Sequence, residues 1–112
     1  FLNGVKMHMG RLGDTLEVED GVKAAQACAL NILGQLNAAI DGDWSRVVRC
    51  VKLGAFVNCT SDFTQHPAVV NGASDLMVAA LGDAGKHARF AVGAPSLPLG
   101  VAVEIDALFE IQ

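Results

Sequence analysis

The carboxy-terminal stretch Val101 to Ile111 alternates without a break. Val101, Val103, Ile105, Ala107, Phe109 and Ile111 fall on one side of an extended chain, and Ala102, Glu104, Asp106, Leu108 and Glu110 fall on the other. Such a strand needs a core under its first face and accepts a mixed environment on its second. A second segment, Arg46 to Cys59, is apolar on both faces, with Val47, Val51 and Val57 on one and Val48, Cys50 and Phe56 on the other. A strand of that kind is covered on both sides. The chain must therefore build a sheet and find cover for it.

Helical periodicity supplies part of that cover. Val22, Ala25, Ala29, Ile32, Leu36 and Ile40 recur every three or four positions and predict a helix of about five turns. Asp20 is placed to cap it, Glu17, Glu19 and Asp20 suit the positive pole of its dipole, and Asp41-Gly42-Asp43 ends it. After a turn at Ser61-Asp62 and Pro67, a second helix is predicted from Ala68 to Leu81, burying Val69, Ala73, Leu76, Met77 and Ala80 and closed by Gly82 and Gly85. Phe1 to Met9, with Asn3-Gly4 as a turn signal, and His87 to Val92 read as strands. A loop from Gly93 to Gly100 leads into the last one. If the apolar faces share one core, Phe90 and Val92 point toward the helices, while Arg89 and Ala91 point away with Glu104. The expectation is a single α+β domain over residues 1–112, with two helices on one face of a sheet and a mixed face opposite.

Two helices can cover only one side of that second strand, and here composition matters. At 112 residues the chain is one domain, yet 52% of it is apolar and 18% charged. That surplus predicts an oligomer, whose interface removes from water what a small core cannot hold. Eight basic against twelve acidic residues give a net charge of −4, with no basic stripe, which weighs against nucleic acid. No apolar run is long enough for a membrane span and no signal peptide is visible. Cys28, Cys50 and Cys59 are odd in number, without CxxC spacing, and read as buried thiols in a reducing compartment, so a cytoplasmic location is expected. The chain opens at Phe1 inside strand-like sequence, and an incomplete amino terminus is expected.

Candidate chemistry is sparse. His8, His66 and His87 lack ligand spacing and read as surface or cap residues, so no metal site is expected. Cys28 and Cys50 have no histidine at motif spacing, Trp44 reads as packing, and no glycine-rich phosphate loop is present. Arg89 and Glu104 leave two readings open: mutual neutralisation of charge on a wet sheet face, or a guanidinium fork that grips a carboxylate.

The run Ala88-Arg89-Phe90-Ala91-Val92, then Leu97-Pro98-Leu99-Gly100, then Val103-Glu104-Ile105-Asp106-Ala107 resembles the carboxy-terminal signature of the YjgF/RidA family, with an A-R-S-x-V strand, an L-P loop and a V-E-I-E-A strand. Asp43 to Val57, Asp62-Phe63 and Val70-Asn71 are similar as well, so the likeness runs from about Val22 to Ile111. The resemblance implies a chorismate mutase-like fold with a mixed sheet. It also implies a homotrimer around a central barrel, with ligand clefts between subunits. It implies that Arg89 grips a carboxylate, that Glu104 positions water, and that Asn71, Phe90 and Ala91 line the cleft. The implied activity is hydrolysis of 2-aminoacrylate-type enamines and imines to 2-oxo acids and ammonia, a chemistry that requires no cofactor. A non-catalytic carboxylate-binding protein is the alternative, and the ribonuclease activity attached to some family names comes third. The chain departs from the pattern in having no tyrosine, Phe90 where serine is common and Ala91 where cysteine is common. These departures bear on catalysis more than on binding.

Overall fold

A computed structural model of the chain describes residues 9–112. The strand and turn expected over Phe1 to Met9 lie outside these residues except for Met9, which makes an isolated antiparallel bridge to Val101. The elements that follow are α1 (Val18–Ala39), β1 (Val47–Asn58), α2 (His66–Leu81), β2 (Ala88–Ala94) and β3 (Val103–Ile111). Short 3-10 turns at Trp44–Arg46, Gly82–Gly85 and Pro98–Gly100 join them.

Helix α1 begins earlier than its apolar spacing suggests. Glu17, not Asp20, is the N-cap, and Asp20 is the third helical residue, whose carboxylate accepts the Glu17 backbone N–H at 2.8 Å in a reciprocal capping box. The helix stops where Asp41 and Gly42 take left-handed backbone angles, φ 56° and 75°. Despite its 22 residues it is amphipathic, and among the described residues no helix is long and apolar enough to cross a membrane.

β1 is the middle strand. β2 lies parallel to it on one side, reached through α2, and β3 lies antiparallel on the other, giving a mixed sheet in the order β2-β1-β3. Both helices contribute to one core with the sheet: Ala24, Ala25 and Ala29 from α1, Val69, Val70, Ala73 and Met77 from α2, and Cys50, Leu53, Ala55 and Val57 from β1 are all buried. Val103, Ile105, Ala107 and Phe109 of β3 face the same core, as their alternation requires. α1 and α2 touch closely at Gly72, where a Cβ would sit 2.5 Å from the Val22 carbonyl oxygen. Ala80, expected on the buried face of α2, is exposed, because the helix ends one residue later and leaves the sheet there.

Three face assignments differ from simple parity. Register shifts between Val47 and Arg49 and between Cys50 and Lys52 interrupt β1, so Cys50 joins Leu53 on the helix side instead of sharing a face with Phe56. Ala102 lies just before β3 and is fully buried, outside the strand's alternation. In β2 the faces are reversed: Arg89, opposite Leu53, turns toward the helices with Ala91, and Phe90 and Val92 turn to the open side. Gly54 explains the reversal. It stands between Phe90 and Asp106 in register, and a Cβ there would meet the Phe90 ring at 2.8 Å and Asp106 Oδ1 at 2.5 Å. The ring occupies the space that Gly54 leaves.

The open face thus carries Lys52, Phe56, Phe90, Val92, Glu104, Asp106 and Leu108. Phe56, Val92 and Leu108 are 38%, 42% and 59% exposed, a patch of apolar surface interleaved with charge. Lys52 Nζ sits 5.1 Å over the Phe90 ring, which meets Phe56 edge-on at 5.4 Å. Trp44 opens its 3-10 turn and stays 41% exposed.

Candidate functional site

Arg89 enters near the start of β2, on the side that α2 covers. Its Nη1 donates to Ser74 Oγ at 3.1 Å, and its Nη2 makes a long contact of 3.5 Å with the Pro67 carbonyl. The Ser74 oxygen also lies 2.8 Å from His87 Nε2, while His87 Nδ1 is 2.6 Å from the Gly85 carbonyl. A carbonyl only accepts, so Nδ1 carries the hydrogen, and in the neutral ring Nε2 is left as an acceptor. Ser74 then donates to His87 and accepts from Arg89. The result is a directed chain of hydrogen bonds, Arg89 to Ser74 to His87 to Gly85, that fixes the imidazole tautomer and one side of the guanidinium.

These groups line a cavity of about 280 Å³ together with Asn71, Val78 and Lys86. Asn71 lies one helical turn before Ser74 on the same flank of α2 and is exposed. Two ion pairs occur among the described residues, Arg49 with Glu110 at 3.2 Å and Lys86 with Asp83 at 3.1 Å, and neither involves Arg89. A half-buried guanidinium is therefore held by a hydroxyl and a carbonyl, with no carboxylate of the described residues against it. That arrangement suits an anionic ligand with a planar pair of oxygens.

Glu104 is elsewhere. It is exposed on the open face of β3, in register with Phe56, and borders a cavity of about 320 Å³ with Cys28, Gln35 and Leu99. Within one chain Arg89 and Glu104 occupy opposite edge strands and opposite faces of the sheet, so the pairing that parity suggested does not form. The site residues divide in two: Arg89, Asn71 and Ala91 on the helix side, Phe90 and Glu104 on the open side. A groove of about 570 Å³ runs between α1 and β3, with Gln35 and Asp106 as the polar members of a wall otherwise formed by residues such as Ile32, Leu36, Ala107 and Phe109.

Ser74 and His87 were not singled out from the sequence as site residues, and His87 read as a surface or cap residue. The available signals were modest: Ser74 follows Asn71 at helical spacing, and His87 shares strand parity with Arg89. Of the other histidines, His8 lies outside the described residues, and His66 opens α2 with its Nε2 3.4 Å from Cys59 Sγ. All three cysteines are free thiols, and burial pushes each above its ordinary value. Cys28 Sγ–H reaches the Val103 carbonyl at 3.6 Å and links α1 to β3. Among the described residues no group of three or more His, Cys, Asp or Glu side chains is placed to hold a metal.

Known proteins share this fold closely. Residues 1–110 match the family described as "YjgF/chorismate mutase-like, putative endoribonuclease". Protein TCP17 of Trypanosoma cruzi is 52% identical over 104 residues, which are 92% of this chain and 64% of that protein's length. The crystal structure of Atu1372 from Agrobacterium tumefaciens, a protein of unknown function, superposes over 100% of this chain and 70% of its own, with a TM-score of 0.97 at 43% identity. A protein from Shewanella oneidensis MR-1, described as a "putative endoribonuclease", superposes over 99% of this chain and 73% of its own, with a TM-score of 0.94 at 31% identity. The match over nearly the whole chain, with the mixed sheet and paired helices already described, makes this chain a member of the YjgF/chorismate mutase-like family.

Proposed function

We propose that this chain binds small carboxylates through Arg89 and hydrolyses 2-aminoacrylate-type enamines and imines to 2-oxo acids and ammonia, in clefts between subunits of a cytoplasmic homotrimer. The observation that carries the reading is Arg89 itself. It is half-buried, oriented by Ser74, and unpaired with any acidic side chain among the described residues. The opposite placement of Glu104 adds to it, because a site containing both residues draws Arg89 from one copy and Glu104 from a neighbour. The exposed apolar patch around Phe56 and Val92 gives neighbouring copies a reason to pack there.

In this reading the substrate carboxylate accepts two N–H bonds from the guanidinium, which brings the adjacent imine carbon to a fixed position. Water adds to that carbon as the imine nitrogen takes a proton. Collapse of the tetrahedral adduct then releases ammonia and leaves the 2-oxo acid. The neighbour's Glu104 accepts the water proton, and the Ser74–His87 pair offers a second proton path beside the carboxylate clamp.

Phe90 supports the alternative, carboxylate binding without turnover, since its ring fills the space beside Gly54 with a side chain that itself cannot move a proton. An RNA-cleaving role, which the description of the Shewanella protein carries, draws no support from a net charge of −4.

The deciding assay follows ammonia release from freshly generated 2-aminoacrylate, alongside calorimetric titration with 2-oxobutanoate. The proposed enzyme accelerates release, and Arg89→Ala abolishes both acceleration and binding. Binding at the uncatalysed rate would establish the alternative, and absence of binding would overturn both readings.

A further inference from the structure

Cys59 and His66 form a second cluster, and it shares no lining residue with the Arg89 cavity. Cys59 follows directly on β1 and is 6% exposed. A turn then brings the chain back so that His66, the first residue of α2, places Nε2 3.4 Å from the Cys59 sulfur. The Phe63 ring stands edge-on to the imidazole at 5.4 Å and limits its movement.

Three observations separate this pair from an ordinary buried thiol. The first is the thiol–imidazole contact itself, the arrangement in which a histidine takes a cysteine proton. The second is a cavity of about 270 Å³ beside the pair, walled by Phe63, Ala94 and Pro95 with Ser61 at its side. The third is Gly93 of β2, where a Cβ would lie 2.7 Å from the sulfur and 2.7 Å from His66 Nε2. Any side chain at 93 would stand on both reactive atoms, so glycine keeps the approach open. Two ligands are too few for a closed zinc site. The cavity is the size of a small organic molecule, and its mostly apolar walls suit one with little charge.

We propose that Cys59 and His66 form a nucleophilic thiol site that takes small α,β-unsaturated carbonyl compounds as covalent partners. The sulfur attacks the β-carbon and forms the S–C bond. The C=C electron pair moves to the carbonyl as an enolate, and His66 Nε2 receives the thiol proton, then returns it to the α-carbon. The sum is an addition, with no oxidant or reductant. Burial holds the Cys59 thiol above its ordinary value, against the lowering by the Ala94 backbone and the Arg11 charge, so the resting site is a thiol and needs the histidine as base.

N-Ethylmaleimide at limiting concentration, followed by peptide mass mapping of the 112-residue chain, tests this. Cys59 is expected to react about tenfold faster than Cys28 or Cys50, and His66→Gln to slow it about tenfold while Cys28 keeps its rate. Gly93→Ala is expected to slow Cys59 in the same selective way, by placing a methyl on the approach. Arg89→Ala is expected to leave the labelling unchanged, which separates this site from the carboxylate clamp. Preferential labelling of Cys28, or a wild-type Cys59 rate in both His66→Gln and Gly93→Ala, would overturn the proposal.

Discussion

Two glycines in the helices make opposite predictions for the same substitution. At Gly72 of α2 an added Cβ meets the backbone oxygen of Val22 at 2.5 Å, whereas ordinary contacts lie at 3.4–4 Å. The obstacle is main chain in the neighbouring helix and cannot rotate aside, so α1 and α2 must part by most of an ångström along a contact that Val69, Ala73 and Ala25 fill. Overpacking of this kind costs about 1 to 3 kcal/mol. Alanine returns about 1 kcal/mol of helix propensity, leaving a net loss of up to about 2 kcal/mol. For a domain near this size that is a fall of up to roughly 15 °C in Tm. Gly34 of α1 is exposed and has nothing within 4 Å of its prospective Cβ, so Gly34→Ala gains the propensity, about 0.5 to 1 kcal/mol, without the collision. Urea denaturation at one fixed protein concentration measures both, which keeps any assembly contribution constant. If Gly72→Ala stabilises as much as Gly34→Ala, the helices are not held at this contact and the packing argument fails.

Replacing the Arg89 fork with the single ammonium of Arg89→Lys is expected to weaken 2-oxobutanoate binding by about 1 to 3 kcal/mol, read by calorimetry, while oligomeric state is unchanged. Glu104→Gln is expected to spare that affinity and reduce ammonia release, because an amide is a far poorer proton acceptor than a carboxylate. Sedimentation equilibrium of the 112-residue chain is expected to give about three times 11.6 kDa, and a monomer at micromolar concentration would count against the inter-subunit cleft. Thermal stability is expected to decline as pH rises above the ordinary thiol value of 9.0, since Cys28, Cys50 and Cys59 bind their protons more tightly folded than unfolded. That stability is full below 9.0 and is lost as the folded thiols ionise. Cys50→Ala should flatten the decline in an alkaline Tm series.

Periodicity made β3 legible because its alternation is uninterrupted, and Val103, Ile105, Ala107 and Phe109 face the core as their spacing requires. The same rule failed where a local event broke phase. Cys50 changes sides through a register shift that leaves no mark in composition, and Phe90 follows room made by Gly54, a residue on another strand. Arg89 was visible as an arginine needing a partner, but its partner is a serine fifteen positions earlier on a helix, reached only once the faces are known. Motif resemblance selected Arg89 and Asn71, and the fold places both on one cavity. Neither spacing nor resemblance pointed to Cys59 with His66, whose contact depends on the angle at which the chain re-enters α2.

Among the described residues the strand order β2-β1-β3 contains no hairpin: Lys52 must find Ala88, and Val47 must find Ile111 more than sixty positions later. Each pairing of β1 with β2 or β3 therefore closes a long loop before it returns any energy, whereas each helix can begin from neighbours in sequence. On a ribosome, β1 emerges before either β2 or β3 and before α2, holding Leu53, Ala55 and Val57 with only part of their cover. Completion of this three-stranded sheet is thus timed by β3, and the interval before Ile111 arrives is when unpaired edges are most exposed to the wrong partner.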